Sequence, residues 1–185
     1  MQKNKKLFRS IKGMTIAAML VAMSVVIGIF CKTYLNFGAG LFRITFENLP
    51  IIVSGILYGP IVGAIIGVAS DFVSYLLSPQ IYPPNLVVTA GAALIGAVSG
   101  IVSRFIIKKK GKQQIILSGA LAHVTGSMIV KTIGLYQFYG ILVLWRIPLY
   151  TVIASAEILI ICLLFDRASF CRAVGYVKGE KNELS

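Results

Sequence analysis

The sequence predicts an all-α integral membrane protein with six transmembrane helices. Hydrophobic residues make up 57% of the 185 residues and charged residues only 13%, whereas a soluble domain carries about 25% charged residues. Several apolar runs approach the roughly 20 residues that a helix needs to cross a bilayer. Basic residues cluster at the ends of these runs. A chain of this length holds six short spans and leaves no room for a soluble catalytic domain.

The predicted spans are joined by turn and loop signals. Pro50 interrupts the second span, and Tyr58–Pro60 forms a tight turn before the third. The segment from Ser78 to Asn85 contains three prolines and is predicted to be a loop, because proline breaks helices. The six spans cover approximately residues 13–34, 44–57, 61–77, 86–107, 114–139 and 145–165. They divide the chain into a basic N-terminal segment (1–12), a six-helix membrane domain (13–168) and a C-terminal tail (169–185).

The distribution of positive charge predicts the orientation in the membrane. With the N-terminus inside, fourteen of the eighteen Lys and Arg residues lie on the inner side, Lys131 lies within a span, and only Lys32, Arg43 and Arg146 lie on the outer side. An excess of basic residues on the cytoplasmic side is typical of multi-pass proteins. We therefore expect both termini in the cytoplasm and the chain in a bacterial plasma membrane. The same pattern explains the net charge of +12 without a nucleic-acid partner.

Polar residues near the outer ends of several spans predict a solute-binding pocket. An ionisable side chain at the centre of a bilayer costs roughly 2.5–3.5 kcal/mol on insertion scales, so each one calls for a partner or a function. Side chains from different helices at one depth are expected to line a pocket open to the outside. The predicted substrate-binding residues are Asp71, Lys131, Arg146, Asn85, Arg43, Tyr75 and Tyr82. Their aromatic members are suited to contact with a flat heterocycle.

Other ionisable residues are expected to pair with one another. Arg43 and Glu47 stand four residues apart, a spacing that suits an ion pair on a helix. His123 and Glu157 lie deeper in the fifth and sixth spans and are expected to pair between them.

Motifs for catalysis or cofactor binding are missing from the sequence. It contains no HExxH motif, no GxSxG nucleophile elbow and no Walker A motif. No cluster of His, Cys or carboxylate residues has metal-ligand spacing. We therefore predict no enzyme activity, no cofactor and no metal, and the chain needs a partner to energise any uptake.

Small residues recur four positions apart on several spans, namely Gly63 with Gly67, Gly96 with Gly100, and Ala18 with Ala22. Such pairs allow helix backbones to approach closely in lipid. For the glycines we predict packing inside the bundle. For Ala18 and Ala22 a second interpretation stays open, in which the pair forms a docking face for a partner protein.

The segment from Arg43 to Asp71 resembles the S components of energy-coupling factor (ECF) transporters. These proteins show an R-x-x-F-x-x-L-P run, then a G-x-x-x-G-P-x-x-G turn, then an aspartate in the next helix. Here the run starts at Arg43, the turn covers Gly55 to Gly63, and the aspartate is Asp71. The later Tyr-Pro-Pro-Asn loop ending at Asn85 is most similar to the folate-specific branch.

This resemblance implies a binding subunit with a vitamin pocket near the outer surface. It implies a membrane scaffold protein (the T component) and two cytoplasmic ATPases as partners, with Ala18 and Ala22 matching the A-x-x-x-A motif that contacts the scaffold. It also implies that the subunit topples in the membrane to deliver its cargo. The expected ligand is folate or a reduced folate. Pantothenate, riboflavin and biotin remain alternatives, and a membrane enzyme acting on a lipid is a more distant one.

Overall fold

The computed structural model describes residues 10–37, 42–77, 85–107 and 111–176, and nearly all of them are helical. A two-residue antiparallel hairpin pairs β1 (Asn36–Phe37) with β2 (Phe42–Arg43). The helices are α1 (Ile11–Tyr34), α2 (Asn48–Tyr58), α3 (Pro60–Leu77), α4 (Leu86–Ile101), α5 (Lys112–Ala122), α6 (Lys131–Tyr139), α7 (Arg146–Asp166) and α8 (Ala168–Val174). A π-helical turn (Val102–Ile106) extends α4, a π-helical segment (His123–Val130) joins α5 to α6, and a 3-10 helix (Gly140–Trp145) precedes α7.

The structure confirms the all-α membrane class. Among the described residues, five helices are long and apolar enough to cross a membrane. They cover Ile11–Tyr34, Pro60–Leu77, Leu86–Ile106, Lys112–Tyr136 and Gly140–Asp166. The second predicted span corresponds to α2, which has 11 residues, all of them buried. At 1.5 Å per residue it is about 16 Å long, roughly half the thickness of the hydrocarbon core. It is therefore an internal helix enclosed by the longer ones.

The start of the second helix differs from the prediction. We expected a span from Ile44 that is interrupted at Pro50, but the helix begins at Asn48 after the β2 strand. Pro50 is therefore the third helical residue and interrupts nothing. In the first turn of a helix the backbone N–H has no partner within the helix, so proline is tolerated there.

The glycine pairs pack inside the bundle, as predicted. A Cβ atom added to Gly96 on α4 would lie 2.0 Å from the backbone oxygen of Gly63 on α3. One added to Gly67 would lie 2.3 Å from the backbone oxygen of Ala92. Since such distances are well below van der Waals contact, only glycine permits this approach of the two backbones. The contact holds α3 and α4 together as the most extensive helix pair of the bundle.

Three separate parts of the chain meet at one end of the bundle. Gly59 makes the turn between α2 and α3 with a φ of +92°, in the region that favours glycine. The guanidinium of Arg104 donates a hydrogen bond to the backbone oxygen of Tyr58, and the Tyr58 hydroxyl donates to the backbone oxygen of Gly13. The start of α1, the Gly59 turn and the end of α4 therefore share the end that the charge pattern predicts to be cytoplasmic.

The chain after α7 folds back onto this same end. Lys112 at the start of α5 forms an ion pair of 2.8 Å with Asp166 at the end of α7. Tyr176 packs its ring against Phe165, with centroids 4.8 Å apart, and its hydroxyl donates a hydrogen bond to Oε1 of Gln114. Burial raises the pKa of Tyr176 to about 12, so this hydroxyl keeps its proton at neutral pH. The predicted tail thus contributes to the packed structure as far as Tyr176.

Substitution of Gly96 by Ala should destabilise the protein by about 1–3 kcal/mol, since the added methyl group meets backbone and not a mobile side chain. Alanine is otherwise the better helix former, so intrinsic propensity acts in the opposite direction. Thermal unfolding in detergent measures the effect. Gly111→Ala is the control, because nothing lies within 4 Å of its added Cβ. Equal midpoints for the two variants would contradict the packing described for α3 and α4.

Candidate substrate-binding site

A polar cavity lies where helices α1 to α4 and α6 meet. Among the described residues it has room for about one water molecule. Ligand pockets commonly have about 300–1,000 Å³, so this cavity marks the point where the polar groups converge, and a vitamin-sized ligand needs more space than it offers. The lining residues are Ser24, Glu47, Ile51, Ser70, Asp71, Ser74, Ala92 and Lys131. Two carboxylates, one ammonium group and three hydroxyls thus converge within a largely apolar bundle.

Lys131 is the only cation among these lining residues and is held by two partners. Its Nζ lies 3.3 Å from Oε1 of Glu47 and donates a hydrogen bond of 3.1 Å to Oδ1 of Asn48. All three side chains are buried. Lys131 is the first residue of α6, directly after the π-helical segment, and such segments are frequent at functional sites. The partners come from the start of α2, so this contact joins two elements that are distant in the sequence.

Asp71 lies on α3 and is oriented by the neighbouring helix. Thr89 on α4 donates a hydrogen bond of 2.7 Å to its Oδ2 atom. Asp71 is partly exposed, and it lines the same cavity as Lys131. The structure therefore brings together the two residues that the sequence singled out from separate spans. Their contact with a substrate stays a prediction.

Three serines form a hydroxyl-rich wall, which the sequence reasoning missed. Ser24 on α1 donates a hydrogen bond of 2.7 Å to the backbone oxygen of Glu47. Ser74 on α3 accepts one of 2.8 Å from Nζ of Lys32. Ser70 lies one turn before Ser74 on the same helix face. The four-residue spacing around Asp71 was the available signal, but serine is too common in membrane helices to stand out.

Two other predicted site residues have positions outside the lining of this cavity. Asn85 caps the N-terminus of α4 by accepting a hydrogen bond from Val87 N, and its Nδ2 donates 2.6 Å to the backbone oxygen of Gly134. It therefore fastens α4 to α6. Tyr75 is half-buried on α3, and neither residue is among the described residues that line the cavity.

For the other three predicted site residues, the structure describes only the backbone or nothing. Tyr82 lies outside the described residues, and Arg43 and Arg146 are described only through their backbone, in β2 and at the start of α7. Glu47 contacts Lys131. The predicted Arg43–Glu47 pair stays a prediction, because the side chain of Arg43 is outside the described part of the structure.

A chain of polar contacts leads from the cavity into the bundle. Asn48 Nδ2 donates to Ser127 Oγ at 3.5 Å, and Ser127 Oγ lies 3.4 Å from Nδ1 of His123. Nε2 of His123 lies 2.6 Å from Oε2 of Glu157 on α7, and both side chains are almost completely buried. The predicted pairing of His123 with Glu157 between the fifth and sixth spans is confirmed.

Comparison of the sequence with known protein families shows which family has this architecture. Residues 12–174 match the family described as "ECF transporter, substrate-specific component".

The chain belongs to this family.

Two sequence relatives and one solved structure are similar to the chain. The folate transporter FolT of Clostridium novyi (strain NT) is 25% identical over 123 residues, which cover 65% of this chain and 68% of that protein. The uncharacterized protein MG098 homolog of Mycoplasma pneumoniae is 27% identical over 111 residues, but the match spans only 20% of its length. A crystal structure described as FolT bound with folic acid shares the fold, with a TM-score of 0.62 and 23% identity over 92% of this chain and 98% of that one.

Removal of one partner from the buried His123–Glu157 pair should be strongly destabilising for this S component. His123→Leu leaves the Glu157 carboxyl group buried without its partner, a loss of about 3–5 kcal/mol. The double variant His123→Leu/Glu157→Leu should recover much of that loss, because replacement of both partners by apolar groups is nearly neutral. Thermal unfolding in detergent reports both effects.

The exposed pair at the bundle end provides the matched control for this experiment. Asp166→Asn removes the partner of Lys112 and should change the midpoint little, because an exposed ion pair contributes little to stability. A His123→Leu variant as stable as Asp166→Asn would show that the buried pair contributes nothing to the fold.

Proposed function

We propose that the chain is the substrate-binding subunit of an ECF-type importer and captures folate or a reduced folate at the extracellular side. The observation that carries this proposal is the cavity in which Asp71, Glu47 and Lys131 converge from separate elements of a membrane bundle. Buried ionisable groups in a membrane protein mark solute or ion sites unless they are fully consumed by pairing. Here two carboxylates meet the ammonium of Lys131 at the cavity, and the ammonium of Lys32 bonds to the lining residue Ser74.

The charges of the cavity favour one orientation of the ligand. The lining residues carry two carboxylates and one ammonium, and a second ammonium, that of Lys32, bonds to the lining residue Ser74. A pterin ring presents N–H donors, which the carboxylate of Asp71 accepts in charge-assisted hydrogen bonds. The anionic glutamate tail is repelled by the same carboxylates. We propose that it extends toward the end of the bundle where β2 carries Arg43 and α7 starts with Arg146.

The relatives support folate over other vitamins. The Clostridium novyi protein is named a folate transporter, and the solved structure of the same fold is described as bound with folic acid. Transfer of this ligand to the present chain is part of the proposal. Pantothenate, riboflavin and biotin are the ligands against which it is tested.

Uptake is proposed to depend on partner proteins. We propose that a membrane scaffold and two cytoplasmic ATPases supply the energy, and that the subunit topples in the membrane to release its cargo. Ala18 and Ala22 lie exposed on one face of α1 and offer a flat surface for the scaffold helices. We also propose that the end of the bundle that carries Gly59 and Arg104 faces the cytoplasm of a bacterial cell, since Arg104 and the starts of α1 and α5, which carry Lys12 and Lys112, lie there.

Loss of either central charge should weaken folate binding. Lys131→Ala and Asp71→Ala should each raise the Kd of the detergent-purified chain for folic acid at least tenfold, about 1.4 kcal/mol. Isothermal titration calorimetry measures the Kd, with Lys112→Ala as a control that removes an exposed lysine at the opposite end. Unchanged affinity in both variants would remove these residues from the site. Tight binding of pantothenate, riboflavin or biotin instead of folic acid would overturn the folate assignment.

A bulky residue on the α1 face should separate binding from uptake. Ala18→Trp and Ala22→Trp should leave the Kd for folic acid within about twofold, since neither residue lines the cavity, and should reduce folate uptake by cells at least tenfold. Val152→Trp, at a residue of α7 that is 69% exposed, is the control for a lipid-facing tryptophan. Normal uptake by both alanine variants would place the scaffold contact elsewhere.

A further inference from the structure

Ser70 has a buried hydroxyl group with no hydrogen-bond partner in the described part of the chain. The residue is 2% exposed and lines the cavity together with Ser24 and Ser74. Those two hydroxyls already bond to groups of the protein, Ser24 to the backbone of Glu47 and Ser74 to Lys32. A buried polar group without a partner is unfavourable, so its presence at a cavity wall calls for an explanation.

The usual local partner of a helical serine is not used by Ser70. Serine in a membrane helix commonly donates to the backbone oxygen three or four residues earlier. Ser54 does so with Ile51 at 2.6 Å, and Ser99 does so with Gly96 at 3.0 Å. Because Ser70 makes no such bond, its hydroxyl keeps both its donor and its acceptor capacity for a group in the cavity.

The immediate neighbour of Ser70 determines what kind of group fits. Asp71 lines the same cavity with a carboxylate, which only accepts hydrogen bonds when ionised. A ligand edge that presents N–H donors beside a carbonyl oxygen or ring nitrogen satisfies this pair of residues. Such alternating donor and acceptor atoms are characteristic of a bicyclic nitrogen heterocycle, whereas the carboxylates of an acidic vitamin present acceptors alone.

We propose that Ser70 is a specificity-determining residue that hydrogen-bonds to the polar edge of the heterocyclic head group next to the groups bound by Asp71. The assignment deepens the proposed function and rests on it for the identity of the ligand. Since the hydroxyl has no partner within the described bundle, its removal costs the free protein no hydrogen bond, and the effect falls on binding alone.

The test compares Ser70→Ala with wild type by calorimetry, using folic acid, pteroic acid, which lacks the glutamate, and 4-aminobenzoyl-glutamate, which lacks the pterin. For folic acid and pteroic acid the Kd should rise by about 3- to 10-fold, the net effect of one neutral hydrogen bond. For 4-aminobenzoyl-glutamate it should stay within twofold. The unfolding midpoint without ligand should be equal to or higher than that of wild type.

Ser118→Ala is the matched control. Ser118 is also fully buried and has no partner for its hydroxyl within the described residues, but it is not part of the cavity lining. Its substitution should affect the midpoint as Ser70→Ala does and leave every Kd unchanged.

The possible results separate this proposal from the proposed function. An unchanged Kd of Ser70→Ala for folic acid overturns the role of Ser70, and an equal loss for 4-aminobenzoyl-glutamate overturns its contact with the head group. If wild type binds none of the folate compounds, the proposed function fails. The two variants are then titrated with whichever of riboflavin, pantothenate or biotin wild type binds, and equal affinities of Ser70→Ala and wild type overturn the Ser70 role independently.

Discussion

The burial of the Lys131 ammonium group is the constraint on which the site depends. A cation inside a membrane bundle needs hydrogen-bonding partners and an opposite charge, because the low dielectric penalises it otherwise. Glu47 and Asn48 supply these, and both belong to the start of α2. The segment before α2 therefore runs deep enough to place Glu47 at the cavity. This accounts for a second helix of only 11 residues, all of them buried.

The α3–α4 pair gives this polar site a rigid wall. In lipid no hydrophobic effect draws helices together, so close packing must stabilise their contact. The close approach of the two backbones at Gly63 and Gly96 provides this packing. Further along the same two helices, Thr89 donates a hydrogen bond to the carboxylate of Asp71. The Asp71 side chain, which we propose faces the ligand, is thus fixed by two packed helices, which would lower the entropy lost on binding. The hydrogen-bond contacts from Asn48 through Ser127 to His123, and from His123 to Glu157, connect the site to α7.

The hydropathy of the sequence and the positions of its prolines predicted most of the helices, but few of the side-chain contacts between them. The ends of α1 and α3 at Tyr34 and Leu77 follow from run lengths and turn signals, because those properties are local. The start of α2 does not follow from these local properties, since a short hairpin precedes it and hydropathy does not indicate where that hairpin ends. The contact of Glu47 with Lys131 spans 84 residues, and no local spacing in the sequence indicates it. The N-cap role of Asn85 was readable, because asparagine before an apolar run is a common helix start.

A structure of the chain determined with folic acid tests the central claim most directly. We predict a folate molecule whose pterin ring lies against Asp71 and Ser70, within hydrogen-bond distance of both, with its glutamate tail directed away from Glu47. A ligand bound outside this cavity, or a chain that stays empty at saturating folic acid with Lys131 still held by Glu47 and Asn48, would contradict the account.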